Sequence, residues 1–61
     1  MKLYELKKNS HFTVDKDDSG TVFRLDHIDG MYSVCYYTDA VNATTLVHIA
    51  AFAEVTEVIL H

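Results

Sequence analysis

T-V-F-R-L-D-H-I-D-G-M-Y-S-V-C-Y-Y-T, residues 21–38, decides how this chain folds. Two runs rich in β-branched and aromatic residues flank Asp29-Gly30, a strong short-range signal for a β-hairpin. A type I′ turn needs positive φ at both central positions, and Asp-Gly supplies it at low cost. A two-residue loop at 29–30 sets Ile28 opposite Met31, His27 opposite Tyr32, Leu25 opposite Val34 and Phe23 opposite Tyr36. Cross-strand partners share a face and successive residues alternate. One face then carries Phe23, Leu25, His27, Tyr32, Val34 and Tyr36 and can form a core. The other carries Val22, Arg24, Asp26, Ile28, Met31, Ser33, Cys35 and Tyr37 and can meet water. A three-residue loop with a bulge sets Leu25 against Ser33 and mixes the faces, so the pattern favours the two-residue turn.

The rest of the chain reads outward from this hairpin. Met1 to Leu6 is either a short strand or one helical turn. Lys7 to Ser10 is a break, and His11 to Val14 is a short strand with Phe12 and Val14 on one face. Asp15 to Gly20 is a polar loop. Beyond the hairpin, 38–43 is a second loop, with Asp39 and Asn42 as turn formers. Thr44 to Ile49 has strand character. Ala50-Ala51-Phe52-Ala53 breaks the alternation as a tight helical turn, and Val55 to Leu60 is a last strand. A helix over Thr45–Val58 is the rival reading. It lacks a consistent apolar stripe and carries too many β-branched residues.

Five short strands in this order predict an all-β fold, a small five-stranded SH3-like barrel with one helical turn before the last strand. It forms a single domain over residues 1–61. Pairing of the last strand with the first hides the edges. The expected core is Leu6, Phe12, Val14, Phe23, Leu25, Val34, Tyr36, Leu46 or Val47, Phe52, Val55 and Ile59.

Bulk properties limit the possible functions. A chain of 61 residues buries only about 60% of its unfolded surface, and its core supplies roughly 3–5 kcal/mol. The single cysteine, Cys35, leaves no internal disulfide, so self-association is the remaining route to extra stability. That cysteine fits a reducing compartment and a short-lived extracellular role equally well. The net charge of −4 and only five Lys plus Arg count against binding a phosphate backbone. No apolar run approaches the roughly 20 residues of a membrane span, and no signal-peptide core is visible. The expectation from these features is a soluble protein in the cytoplasm.

The segments Asp26-His27-Ile28-Asp29-Gly30-Met31-Tyr32 and His48-Ile49-Ala50-Ala51-Phe52 resemble a set of short, uncharacterised proteins from tailed-phage genomes, marine ones included. The similarity extends from about Leu6 onward. It implies a small β-barrel of viral origin acting in the host-cell cytoplasm, and it brings neither an activity nor catalytic residues.

Asp15-x-Asp17-x-Ser19-Gly20, with Asp26 at the closing position, matches the opening of an EF-hand calcium loop. An Asp at the closing position, strand-like flanks and the lack of a second such loop oppose it. The plainer reading is a solvated turn. The four histidines, His11, His27, His48 and His61, show no close ligand spacing for a metal. Cys35 has no histidine on its own face of the hairpin, and a barrel this small should lack a pocket of roughly 300 Å³, so an enzyme is not expected and no cofactor is called for. The candidate interaction surface is Ile28 and Met31 beside the turn, with Val22 and Tyr37 at the far end of the same face. The expectation is a non-enzymatic module that binds a protein partner or itself through an acidic, Tyr-rich surface. A nucleic-acid accessory role using Lys2, Lys7, Lys8 and Arg24 with tyrosines is the alternative, and a calcium-dependent structural protein is the third.

Overall fold

The computed structural model describes residues 1–39 and 43–59. A 3-10 turn at Leu3–Glu5 leads to five strands: β1 His11–Val14, β2 Phe23–Asp29, β3 Tyr32–Tyr37, β4 Leu46–Ala50 and β5 Val55–Val58. They form one antiparallel sheet in the order β4-β3-β2-β1-β5. The last strand does pair with the first, Val14 opposite Val55 and His11 opposite Val58. The sheet is nevertheless not closed, because β4 and β5 stand at its two edges.

The hairpin exists, but its turn lies one residue further on than the Asp-Gly signal indicates. Asp29 faces Tyr32, so the two loop residues are Gly30 and Met31. Gly30 has φ +64°, while Met31 is not among the positive-φ residues. Glycine in the first loop position is the type II′ requirement, and a second positive φ is not needed. Ile28 consequently faces Ser33 and His27 faces Val34.

A bulge at Asp26 then changes the faces. Beyond it Leu25 pairs with Cys35, Arg24 with Tyr36 and Phe23 with Tyr37. The extra residue is left unpaired and moves the two strands by one position relative to each other. The inward face therefore carries Phe23, Leu25, Cys35 and Tyr37, and it takes in Ser33. Arg24, His27, Tyr32, Val34 and Tyr36 share the outward face. β4 follows the same division, with Val47 opposite Cys35 and Ile49 opposite Ser33.

The interior is Leu3, Leu6, Phe12, Phe23, Leu25, Cys35 and Val55, with Val14, Tyr37, Val47, Ile49 and Ala53 packed around them. Phe12 and Phe23 lie 5.7 Å apart and Phe23 and Tyr37 5.2 Å apart between ring centres. Such tilted aromatic pairs contribute about 0.5–1.5 kcal/mol each beyond burial. Several expected core residues are displaced. Tyr36 is half-buried on the outward face, and Phe52 and Ile59 are exposed; of the alternatives Leu46 and Val47, Val47 packs against the core and Leu46 is exposed. Val34 is buried, but on the outward face, where His27 and His48 stand beside it and Tyr32 and Tyr36 flank it. Leu3, Ser33, Cys35 and Ala51 are buried although the hydrophobic pattern did not select them.

Of the two candidate forms for the N-terminal segment, the helical turn is found, as a 3-10 turn, preceded by an isolated bridge rather than a strand. Lys2 makes an antiparallel bridge with Glu54, and the next three residues form the 3-10 turn. The helical turn expected before the last strand is a single reverse turn, in which Ala53 N–H donates to Ala50 O at 3.0 Å. No helix forms over 45–58, where the chain is β4, this turn and β5.

Candidate functional site at the apolar end of the sheet

The hairpin tip carries Ile28 and Met31, and Met31 is 69% exposed. Met31 O accepts a hydrogen bond from Ala51 N–H at 2.8 Å, and Ala51 O accepts one from Tyr4 N–H at 2.9 Å. Three segments distant in sequence are thus tied together around the small, buried Ala51. Their neighbouring side chains Tyr4, Met31, Tyr32 and Phe52 are all more than half exposed. A surface hollow of about 330 Å³ opens beside Phe52, lined by Lys2, Val14, Lys16, Phe52, Ala53 and Glu54. The expectation that so small a fold has no pocket of that size is corrected by it.

Lys2 Nζ lies 2.6 Å from Glu54 Oε1, and the N-terminal ammonium lies 3.6 Å from Glu54 Oε2. The Lys2 hydrogen bond, with its charge, holds the Glu54 carboxyl below the usual carboxylate range. The same bond holds the Lys2 ammonium above its usual value. Lys2 is therefore committed to its own protein.

The sequence-derived surface divides into two places. Ile28 and Met31 are at the tip. Tyr37 belongs to the inward face against Phe23, and half-buried Val22 lies before β2, its carbonyl accepting from Thr38 Oγ1 at 2.9 Å. The bulge accounts for the division, since it puts Tyr37 on the opposite side from the one an unbroken ladder gives. Tyr4 and Phe52 went unrecognised as surface residues. Phe52 reads as core by its size, and only the contact of Ala51 with two distant segments places it outside.

The calcium candidates do not converge. Asp15 accepts from Thr56 Oγ1 at 2.7 Å, and Asp17 accepts from Ser19 N–H at 3.0 Å. That hydrogen bond lowers the Asp17 pKa. Ser19 Oγ meets Thr21 Oγ1 at 2.7 Å. Asp26 is engaged elsewhere, 2.7 Å from His27 Nδ1 and 3.8 Å from Arg24 Nη1, and its pKa is lowered first by the His27 bond. Among the described residues no three of His, Cys, Asp and Glu are grouped to hold a metal. His11 lies in β1 opposite Arg24. His27 and His48 flank Val34 on the outward face, and His48 Nδ1–H donates to Ser33 O at 3.2 Å. His61, and the loop residue Asn42, fall outside the described residues.

Cys35 is fully buried, and burial pushes its thiol above the usual value. Its sulfur lies 3.1 Å from Ser33 Oγ, which itself donates to Ile49 O at 2.8 Å. A neutral, enclosed thiol is a packing group and a poor nucleophile. Arg24 lies 5.1 Å over the Tyr36 ring and donates to Asn9 Oδ1 at 3.0 Å. Among the described residues no helix is long and apolar enough to cross a membrane. No protein-family model, curated protein or solved structure matches the chain.

Proposed function

We propose that this chain is a small, non-enzymatic interaction module that binds a protein partner, or another copy of itself, through the apolar end of its sheet. The observation that carries this reading is the exposure of Tyr4, Ile28, Met31, Tyr32 and Phe52 on backbone segments joined around Ala51, with a hollow beside Phe52. Several exposed apolar residues gathered at one end of a fold can mark an interaction site. Methionine and aromatic residues are the types enriched in them. The non-enzymatic part of the reading is supported by the enclosed Cys35 and by the separation of His11, His27 and His48.

The finer architecture of this reading is an SH3-like barrel. The strand order, with β5 returned beside β1 and a tight turn before it, supports that assignment. The resemblance of residues 26–32 and 48–52 to tailed-phage proteins supports a viral role in the cytoplasm of a bacterial host. The test is affinity capture from phage-infected bacterial lysate with the wild-type chain and with a Met31→Lys, Phe52→Lys double variant. Both positions are exposed, so the fold should survive. A protein retained by the wild type and lost with the variant is expected; identical captured sets would overturn the reading.

A second reading, a nucleic-acid accessory protein, is favoured by Arg24 stacked on Tyr36, with Lys8 close enough to bias Asp26. It predicts a salt-sensitive gel shift, and no shift at low salt removes it.

A further inference from the structure

The two edges of the sheet are treated differently. Asp15 N–H donates to Glu54 O, so in the alternation of an antiparallel ladder Glu54, Thr56 and Val58 bond β1 while Val55 and Glu57 point outward. The outward groups of Val55 are already occupied: its N–H donates to Met1 O at 2.8 Å, and its carbonyl accepts from the terminal ammonium at 3.3 Å. The next outward position carries the charge of Glu57. A covered start and a carboxylate are standard ways to blunt an edge.

β4 has neither. Tyr37 N–H donates to Thr45 O and Ala51 N–H to Met31 O, so residues 45, 47, 49 and 51 bond β3. The N–H and C=O groups of Leu46 and His48, and the N–H of Ala50, point to the open side, where no described residue pairs with them. The strand, Leu46-Val47-His48-Ile49-Ala50, contains no Asp, Glu, Lys, Arg or Pro. It is also nearly symmetric about its centre. In antiparallel apposition to itself, His48 faces His48, Val47 faces Ile49 and Leu46 faces the smaller Ala50, so apolar groups meet on either side of the axis and no fixed charges are opposed.

We propose that β4 is the self-association edge of this protein, joining two copies across a two-fold axis at His48 into one continuous ten-stranded sheet. This goes beyond the interaction reading above: the contact is a sheet edge distinct from the apolar tip, and its occupant is a second copy of the chain. The charged residues responsible for the net −4 lie on other segments, which keeps the repulsive groups of the two copies away from the axis. A small core gains stability from the added pairing.

The test is solution mass by light scattering over a wide range of concentration, with far-UV circular dichroism to confirm folding. The wild type should approach twice 6.9 kDa. His48→Pro removes an outward N–H from each copy and keeps the backbone bonds of β4 to β3, losing only the His48 side-chain bond to Ser33 O. It should weaken the dimer by about tenfold or more, as expected for two lost hydrogen bonds. Leu46→Lys, at an exposed edge position, should do the same and stands in if the proline variant fails to fold. Asp18→Asn, on the exposed loop after β1, should leave the dimer unchanged. A wild type that stays monomeric throughout, or a dimer that survives Leu46→Lys, overturns the proposal. A dimer abolished by Met31→Lys alone overturns it while leaving the interaction reading intact, with the tip as the contact. A monomer that still captures a partner through Met31 and Phe52 has the same meaning.

Discussion

Gly30 shows how one residue shapes the hairpin. Its φ of +64° is in the left-handed half of backbone space, and an added Cβ would meet nothing within 4 Å. The cost of Gly30→Ala is therefore conformational and not steric. It should destabilise the fold by roughly 1 kcal/mol or more, read as a lower urea midpoint with unchanged slope. An unchanged midpoint would mean that the loop tolerates an L-residue there. Asn9 is the other pivot, with φ +70°. Its N–H donates to Leu25 O, and Ser10 O accepts from Leu25 N–H, so this turn extends the pairing of β2. Asparagine tolerates that conformation better than most residues.

At the scale of elements, Asp26 decides which half of β3 faces inward. Deleting Asp26 should leave a continuous ladder in which Leu25 still stands opposite Cys35, because the deleted residue has no partner. The variant should fold, with a cross-strand NOE between residues 25 and 35 retained (wild-type numbering) and the contacts of Asp26 to His27 and Arg24 lost. An NOE from Leu25 to Val34 in its place would contradict the bulge. The existence of all five strands was legible in the sequence, and so was the inward placement of Phe12, Phe23, Leu25 and Val55. β-Branched runs and alternation act within a segment. The bulge was not legible, since an unpaired residue inside a strand leaves little trace in a pattern that reads Phe23, Leu25 and His27 as one face. The same slip hid Cys35 and Ser33. Leu3 escaped for another reason: its burial depends on Leu3 N–H donating to Ala53 O, a contact between chain segments fifty residues apart. Of the candidate site, Ile28 and Met31 were legible from the turn, whereas Tyr4 and Phe52 join them only through tertiary bonds to Ala51.

The whole molecule is held at one end by the N-terminal segment, whose Lys2–Glu54 pair ties it over β5. The signs of its linkage define a window. Glu54, lowered from 4.5, contributes stability that is fully present above that pH and is lost as pH falls through the depressed value. Lys2, raised from 10.5, contributes stability that is fully present below that pH and is lost as pH rises through the raised value. Lys2→Ala should therefore lower Tm by a small amount that is constant between about pH 5 and pH 10, shrinks outside that window and is reduced by salt. A difference that persists in strong acid would assign the loss to packing of the lysine stem. The division of the sheet into its two faces underlies the apolar tip, the open β4 edge and the enclosed core alike, and thiol labelling of Cys35 tests it most directly. In the folded protein Cys35 is fully buried with a raised pKa, so an aromatic disulfide reagent should react only as fast as the chain unfolds and completely in denaturant. Rapid stoichiometric labelling under native conditions would place Cys35 on the solvent face and contradict the account.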